Sequence, residues 1–101
     1  MTVHWTDNAI QHLIAIYDYI AQDSPFYATK MVDRLTRRSQ QVADFPRSGR
    51  IVPEYQAEDL REVFEGPYRV IYRIRPERVD VLGVIHGARQ LRSELLPDLD
   101  D

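Results

Sequence analysis

Four side chains in the second half of the sequence have the chemistry that metal-free cleavage of RNA requires: Arg61, Arg73, His86 and Arg89. That reaction removes a proton from a 2′-hydroxyl and holds the charge of a phosphorane with fixed cations. A histidine titrates near neutrality and can serve as general acid or base, and arginines can cluster around a phosphate. Arg50 and Arg69 are further candidates for that cluster, and Glu54 and Glu62 are the only carboxylates placed to act as a base. Each residue also has a plainer reading. His86 can be a structural histidine bonded to backbone. The arginines can pair with Glu54, Glu62, Glu65 and Asp80, or receive the acidic side chains of a protein partner.

Other chemistries find less support. The chain has no cysteine, which excludes disulfides and Cys-ligated zinc. His4, His12 and His86 stand far apart, without metal-ligand spacing, so neither a metal nor a cofactor is expected. Ser93 has no histidine and acid at a readable spacing, and no glycine-rich phosphate loop occurs. Twelve of the thirteen cations are arginine, Lys30 being the exception, yet the formal charge is −3. Three of the last four residues are acidic, and the body without them is formally neutral. A broad basic nucleic-acid surface is therefore not expected, whereas a local arginine patch is compatible with the composition.

The elements that position these residues follow from periodicity. Its 101 residues bound the chain to one domain. The expectation is a single domain over residues 1–96 with an acidic, flexible tail at 97–101. Residues 2–5 read as a strand. Ala9, Ile10, Leu13, Ile16, Tyr17 and Ile20 form one apolar helical stripe after a Thr6 or Asp7 cap. Ser24-Pro25 starts a second helix carrying Ala28, Met31, Val32, Leu35, Val42 and Ala43, which stops before Pro46. The short connection makes the two an antiparallel hairpin. Residues 46–58 read as an ordered loop. Strands follow at about 60–65, 68–75 and 79–86, with turns too short for anything but antiparallel pairing. A short helix at 88–96 closes the chain. The predicted class is α+β: an N-terminal strand and a helical hairpin on a three-to-four-stranded antiparallel sheet.

Alternation assigns faces. Tyr68, Val70, Tyr72 and Ile74 share one side of the middle strand and suit core packing, while Arg69, Ile71, Arg73 and Arg75 share the other. Leu82 and Val84 are assigned to that second side from the last strand, and Trp5 to core or edge packing. One helical hairpin cannot cover both faces of a sheet. The second face, with Ile14 on the outer edge of the first helix, is therefore expected to stay exposed, and exposed apolar surface marks a partner site. Arg69, Ile71, Arg73, Leu82 and Val84 are the candidate contacts for an acidic, amphipathic segment.

The order of elements, with Phe45-Pro46-Arg47-Ser48-Gly49-Arg50, Leu60-Arg61-Glu62, Tyr68-Arg69-Val70-Ile71-Tyr72-Arg73 and Val84-Ile85-His86-Gly87-Ala88-Arg89, resembles the RelE/ParE toxin superfamily of type II toxin–antitoxin systems. The resemblance covers nearly the whole chain. It implies a toxin neutralised by a cognate antitoxin whose C-terminal segment wraps it, in a toxin–antitoxin hetero-oligomer. Two activities occur in that superfamily: ParE-like members, associated with plasmid stabilization, inhibit DNA gyrase, and RelE-like mRNA interferases cut mRNA in the ribosome without a metal. Phe64 stands where the RelE-like nucleases carry a phosphate-holding cation, and the loop is not lysine-rich. Arg61, the Gly66 turn, Tyr72-Arg73 and His86 fall at ParE-like spacings. The ParE-like reading is therefore the closer one, the metal-independent endoribonuclease is the alternative, and an inactive homologue that binds only its antitoxin is the third. No apolar run reaches membrane-spanning length and the N-terminus is no signal peptide, so the expected location is the cytoplasm.

Overall fold

In the computed structural model, which describes residues 1–99, the chain changes character at Pro46 as its hydrophobic period does. β1 (Thr2–Trp5) leads into α1 (Asp7–Ala21) and α2 (Pro25–Asp44). A 3-10 turn (Pro46–Ser48) then leads into β2 (Arg50–Ile51), β3 (Leu60–Glu65), β4 (Tyr68–Ile74) and β5 (Arg78–His86). Both helices start where the sequence supplies an acceptor for a free N–H. The Thr6 hydroxyl accepts from the amide of Ala9 at 3.2 Å, and the Ser24 hydroxyl from that of Tyr27 at 3.2 Å. Pro25 occupies the first turn of α2, where its missing N–H costs nothing. Among the described residues, no helix is long and apolar enough to cross a membrane.

The strands form one sheet of five in the order β1-β5-β4-β3-β2. β1 joins β5 in parallel and every other neighbour is antiparallel. The α+β class and the hairpin-on-sheet arrangement stand, with more strands than the three or four expected. β2 leaves no signal in the sequence, because a two-residue strand has no period. The C-terminal helix expected at 88–96 is instead irregular chain with one 3-10 turn, Ser93–Leu95.

Two apolar clusters sandwich the sheet. On the helical side, Ile16, Leu35 and Val42 meet Val63, Val70, Tyr72, Val79, Val81 and Val84. On the other side, Val52, Leu60, Ile71, Leu82 and Ile85 meet Leu91 and Leu96, with Leu95 and Leu99 packed at the margin. The expected exposed face is therefore closed by the chain's own 52–57 loop and C-terminal segment. Fully burying each such aliphatic side chain is worth about 1.5–3 kcal/mol, which explains why an irregular segment holds its place. Leu99 belongs to that cover, so the tail expected to be flexible from residue 97 is docked through Leu99; residues 100–101 of it lie outside the described residues.

Candidate functional site

β5 carries a bulge that decides which side chains share a face. Ile71 lies opposite Gly83 and Tyr72 opposite Val81, so Leu82 is the extra residue. The alternation changes phase there. Val79, Val81 and Val84 face the helices, and Leu82 and Ile85 face the other way. Val84 is thus on the opposite side from the one assigned by simple alternation.

The outer part of the second face holds a buried ionic network. The Glu62 side chain is fully buried. It accepts from Arg69 Nε at 2.7 Å and from Arg50 Nε at 2.5 Å. Arg69, itself buried, also forks onto Glu54, with Nη1 and Nη2 at 3.0 and 2.9 Å from the two carboxylate oxygens. Those hydrogen bonds hold the Glu54 carboxyl below its ordinary range and raise Arg69. A charge removed from water must be paired, and here each is. Glu54 and Glu62, the candidate bases, are engaged by arginine, and Arg69 has no free donor face for a partner.

Arg73 and Arg61 are also committed. Arg73 donates Nη1 to Asp59 at 2.9 Å and Nη2 to the Leu99 carbonyl at 2.6 Å. Arg61 donates to the carbonyls of Glu58 and Gly49, at 2.8 and 3.0 Å, tying the loop to β3. Gly49 is required in this loop: a Cβ there would stand 2.7 Å from the Glu62 carbonyl and run into the Tyr72 hydroxyl. That hydroxyl donates to the Pro46 carbonyl at 2.6 Å and accepts from the Gly49 amide at 3.1 Å. Tyr72 is therefore a buried strut, and its phenol is pushed up by that burial.

His86 and Arg89 lie at the other end of the sheet and are exposed. His86 Nδ1 accepts from the Ala88 amide at 3.1 Å, and its ring meets Tyr68 edge-on at 5.6 Å. Both residues line a groove of about 620 Å³ between α1 and the ends of β4 and β5, floored by Ile16, Ile20, Met31, Tyr68 and Val84. Tyr19 stands at its rim, 71% exposed. Among the described residues, no carboxylate lines the groove. Where β1 stops, side chains at and after the start of α1 bond the main chain of β5, and of these His12 lines the groove. The Thr6 hydroxyl donates to the Val81 carbonyl at 2.9 Å and Asn8 Nδ2 to the Leu82 carbonyl at 3.0 Å. His12 Nδ1 accepts from the Val84 amide at 3.1 Å. Burial, and then the charge of Arg89, push the His12 imidazole below its ordinary value.

The structure therefore brings Arg61 and Arg73 to one end of the sheet and His86 and Arg89 to the other. Tyr68, opposite His86, is five residues along β4 from Arg73, a distance of roughly 16 Å at strand rise. The expectation that Arg69, Ile71, Leu82 and Val84 present an open docking face is not met: all four are buried, three beneath the second-face cover and Val84 beneath the helices. Neither His12 nor the groove is among the features expected from the sequence. The available signal was a polar residue three positions after Ala9, on the otherwise apolar stripe of α1.

This hairpin-on-sheet fold and the motifs it carries define a toxin of the RelE/ParE superfamily. The model of the family described as "ParE toxin of type II toxin-antitoxin system, parDE" matches residues 3–91, and the chain belongs to that family. It is 36% identical over 88 residues to the toxin RelE2 of Caulobacter vibrioides, covering 86% of this chain and 96% of the relative. It is 32% identical over 90 residues to the putative toxin Y4kP of Sinorhizobium fredii, covering 87% and 90%. In fold it is similar to a chain of the chromosomal ParDE toxin–antitoxin system of P. aeruginosa, with TM-score 0.71, 22% identity and coverage of 85% and 95%. A chain of the toxin–antitoxin complex RelBE2 of Mycobacterium tuberculosis gives TM-score 0.61 at 24% identity, with coverage of 84% and 95%.

Proposed function

We propose that this type II toxin acts by binding its target, with DNA gyrase inhibited in the ParE manner, and that it is neutralised by a cognate antitoxin. The observation that carries this reading is the dispersal of the nuclease candidates. Metal-free RNA cleavage needs cations and a proton-transfer group around one phosphate. Arg61 and Arg73 are bound to loop carbonyls, Asp59 and Leu99, while His86 and Arg89 lie at the far end of the sheet. Glu54 and Glu62 are held by arginines.

The groove between α1 and β5 suits an antitoxin segment better than the second face does. It is open and mostly apolar, and Arg89 at its edge has no carboxylate partner among the described residues. An amphipathic helix with an acidic residue beside its apolar stripe complements that lining.

The deciding experiment expresses the chain without antitoxin and measures three things: supercoiling by purified gyrase, induction of the DNA-damage response, and mRNA cleavage at codon boundaries. Inhibited supercoiling with intact mRNA is the expected outcome. Cleaved mRNA with unaffected gyrase would establish the endoribonuclease instead, and no effect in any assay would leave a homologue that only binds its antitoxin.

A further inference from the structure

The short strand β2 is the outer edge of the sheet, and its surroundings carry arginines without acidic partners. Antiparallel pairing alternates inward and outward main-chain groups. Arg50 lies opposite Glu62, and the Val52 amide donates inward to the Leu60 carbonyl at 3.1 Å, so the N–H and C=O of Ile51 point outward. β2 covers only the first half of β3. Beyond it the Phe64 carbonyl faces outward and, among the described residues, receives a 3.4 Å bond from Arg38 Nε. Ile51 and Phe64 are both more than a third exposed, and the Arg50 guanidinium lies over the Phe64 ring at 5.3 Å from its centroid.

The charges around this edge are unbalanced. Three of the carboxylates beside it are taken: Glu65 by Arg34, Glu62 by Arg50 and Arg69, and Glu54 by Arg69. Among the described residues, Arg38, Arg47 and Arg61 pair with no carboxylate. Arg61 faces Ile51 across the ladder and reaches the Arg47 carbonyl at 3.5 Å, which sets the exposed Arg47 beside β2. Open strand edges are a liability that charged side chains blunt. Arginine blunts them selectively, because it repels basic segments and receives acidic ones.

We propose that the β2 edge docks an extended, acidic polypeptide segment that adds as a further strand and places carboxylates on Arg38 and Arg47. The unpaired main-chain groups of Ile51 are matched by another main chain, not by phosphates. The net charge of −3 gives the chain no long-range attraction for a polyanion such as nucleic acid. This surface is on the opposite edge of the sheet from the α1–β5 groove, so it stands or falls separately from the docking reading given for that groove.

The test titrates isotopically labelled protein at low salt with three probes: a blocked octapeptide of alternating valine and glutamate, its valine–lysine counterpart, and a single-stranded DNA octamer. The expected result is saturable amide shifts at Arg50–Val52 and Val63–Glu65 with the acidic peptide and none with the basic one. Arg47→Glu, at an exposed side chain that bonds nothing among the described residues, should weaken the acidic peptide by about tenfold while leaving the spectrum otherwise unchanged; Arg38→Glu should act in the same direction. Equal binding of the two peptides, shifts confined to the groove around Tyr19 and Tyr68, or tighter binding of the DNA octamer would each overturn the proposal.

Discussion

The guanidinium of Arg73 donates to the backbone carbonyl of Leu99 at 2.6 Å, and so ties the C-terminal segment across the second face of the sheet. Asn8 Nδ2 makes a second tie at the Leu95 carbonyl, 2.8 Å away, and Leu96 fills the space above Gly83. This cover extends beyond residue 91, where the family match stops.

Removing residues 97–101 is therefore expected to destabilise the protein. The loss combines the Leu99 packing and the Arg73 bond, about 1–2 kcal/mol together. For a domain of this size that lowers the melting temperature by roughly 4–8 °C per kcal/mol. Truncation before Leu91 should cost more and bind a hydrophobic dye, since Leu82, Ile71 and Ile85 would face water. An unchanged melting temperature in the shorter truncation would show that Leu99 contributes nothing to the cover.

Arg69 gives a second expectation. Replacing it with alanine leaves the fully buried Glu62 with Arg50 alone, and breaking a buried pair costs about 3–5 kcal/mol. Because its acidic partners are buried or bidentate, reversal to glutamate should unfold the protein outright instead of reporting on docking. Replacing both Glu62 and Arg69 with apolar residues of similar volume should recover much of the loss. Chemical denaturation of the single and double variants measures both effects. An Arg69→Ala protein as stable as the parent would mean that Glu62 is satisfied without it.

How far the sequence reveals this arrangement depends on whether the signal was periodic. The stripes of α1 and α2 and the alternation of β4 were legible, because each repeats a spacing that only one geometry satisfies. The alternation of β5 misled after Leu82, because a single inserted residue reverses the face of all that follow and leaves no local composition change. The candidate site was less legible than the fold. Arg61, Arg69 and Arg73 were correctly placed on strands, but the sequence does not show that Gly49, Glu62 and Leu99 arrive to occupy them. Such partners come from segments that lack periodicity, the 46–58 loop and the C-terminal chain.

His12 makes stability depend on pH. Its neutral ring accepts the Val84 amide through Nδ1, and its pKa in the folded state is lowered below the ordinary 6.5. The unfolded chain therefore binds the proton more readily than the folded one, and the contribution of His12 is complete above about 6.5. It declines as pH falls from there through the lowered folded value. Urea midpoints measured across that window should fall toward acid, and His12→Gln should flatten that dependence. A slope of equal size in the variant would assign the effect to other groups.

His86→Ala separates binding from catalysis. The side chain is exposed, makes one hydrogen bond to the Ala88 amide and touches Tyr68 edge-on, so its removal should leave the fold intact and the melting temperature within a few degrees. A toxin that works by binding gyrase has no proton for this imidazole to transfer, and a folded His86→Ala protein should still inhibit supercoiling and growth. Because His86 also lines the α1–β5 groove, antitoxin affinity has to be measured in the same variant, and a modest reduction is expected where the ring is lost from the wall. Tyr19→Glu provides the contrast. It places a charge at the exposed rim, away from Arg61 and Arg73, and should weaken antitoxin binding strongly without changing the fold. Growth inhibition lost in a folded His86→Ala protein that still binds antitoxin at parental strength, together with loss of mRNA cleavage, would assign His86 to proton transfer and the chain to the nucleolytic branch.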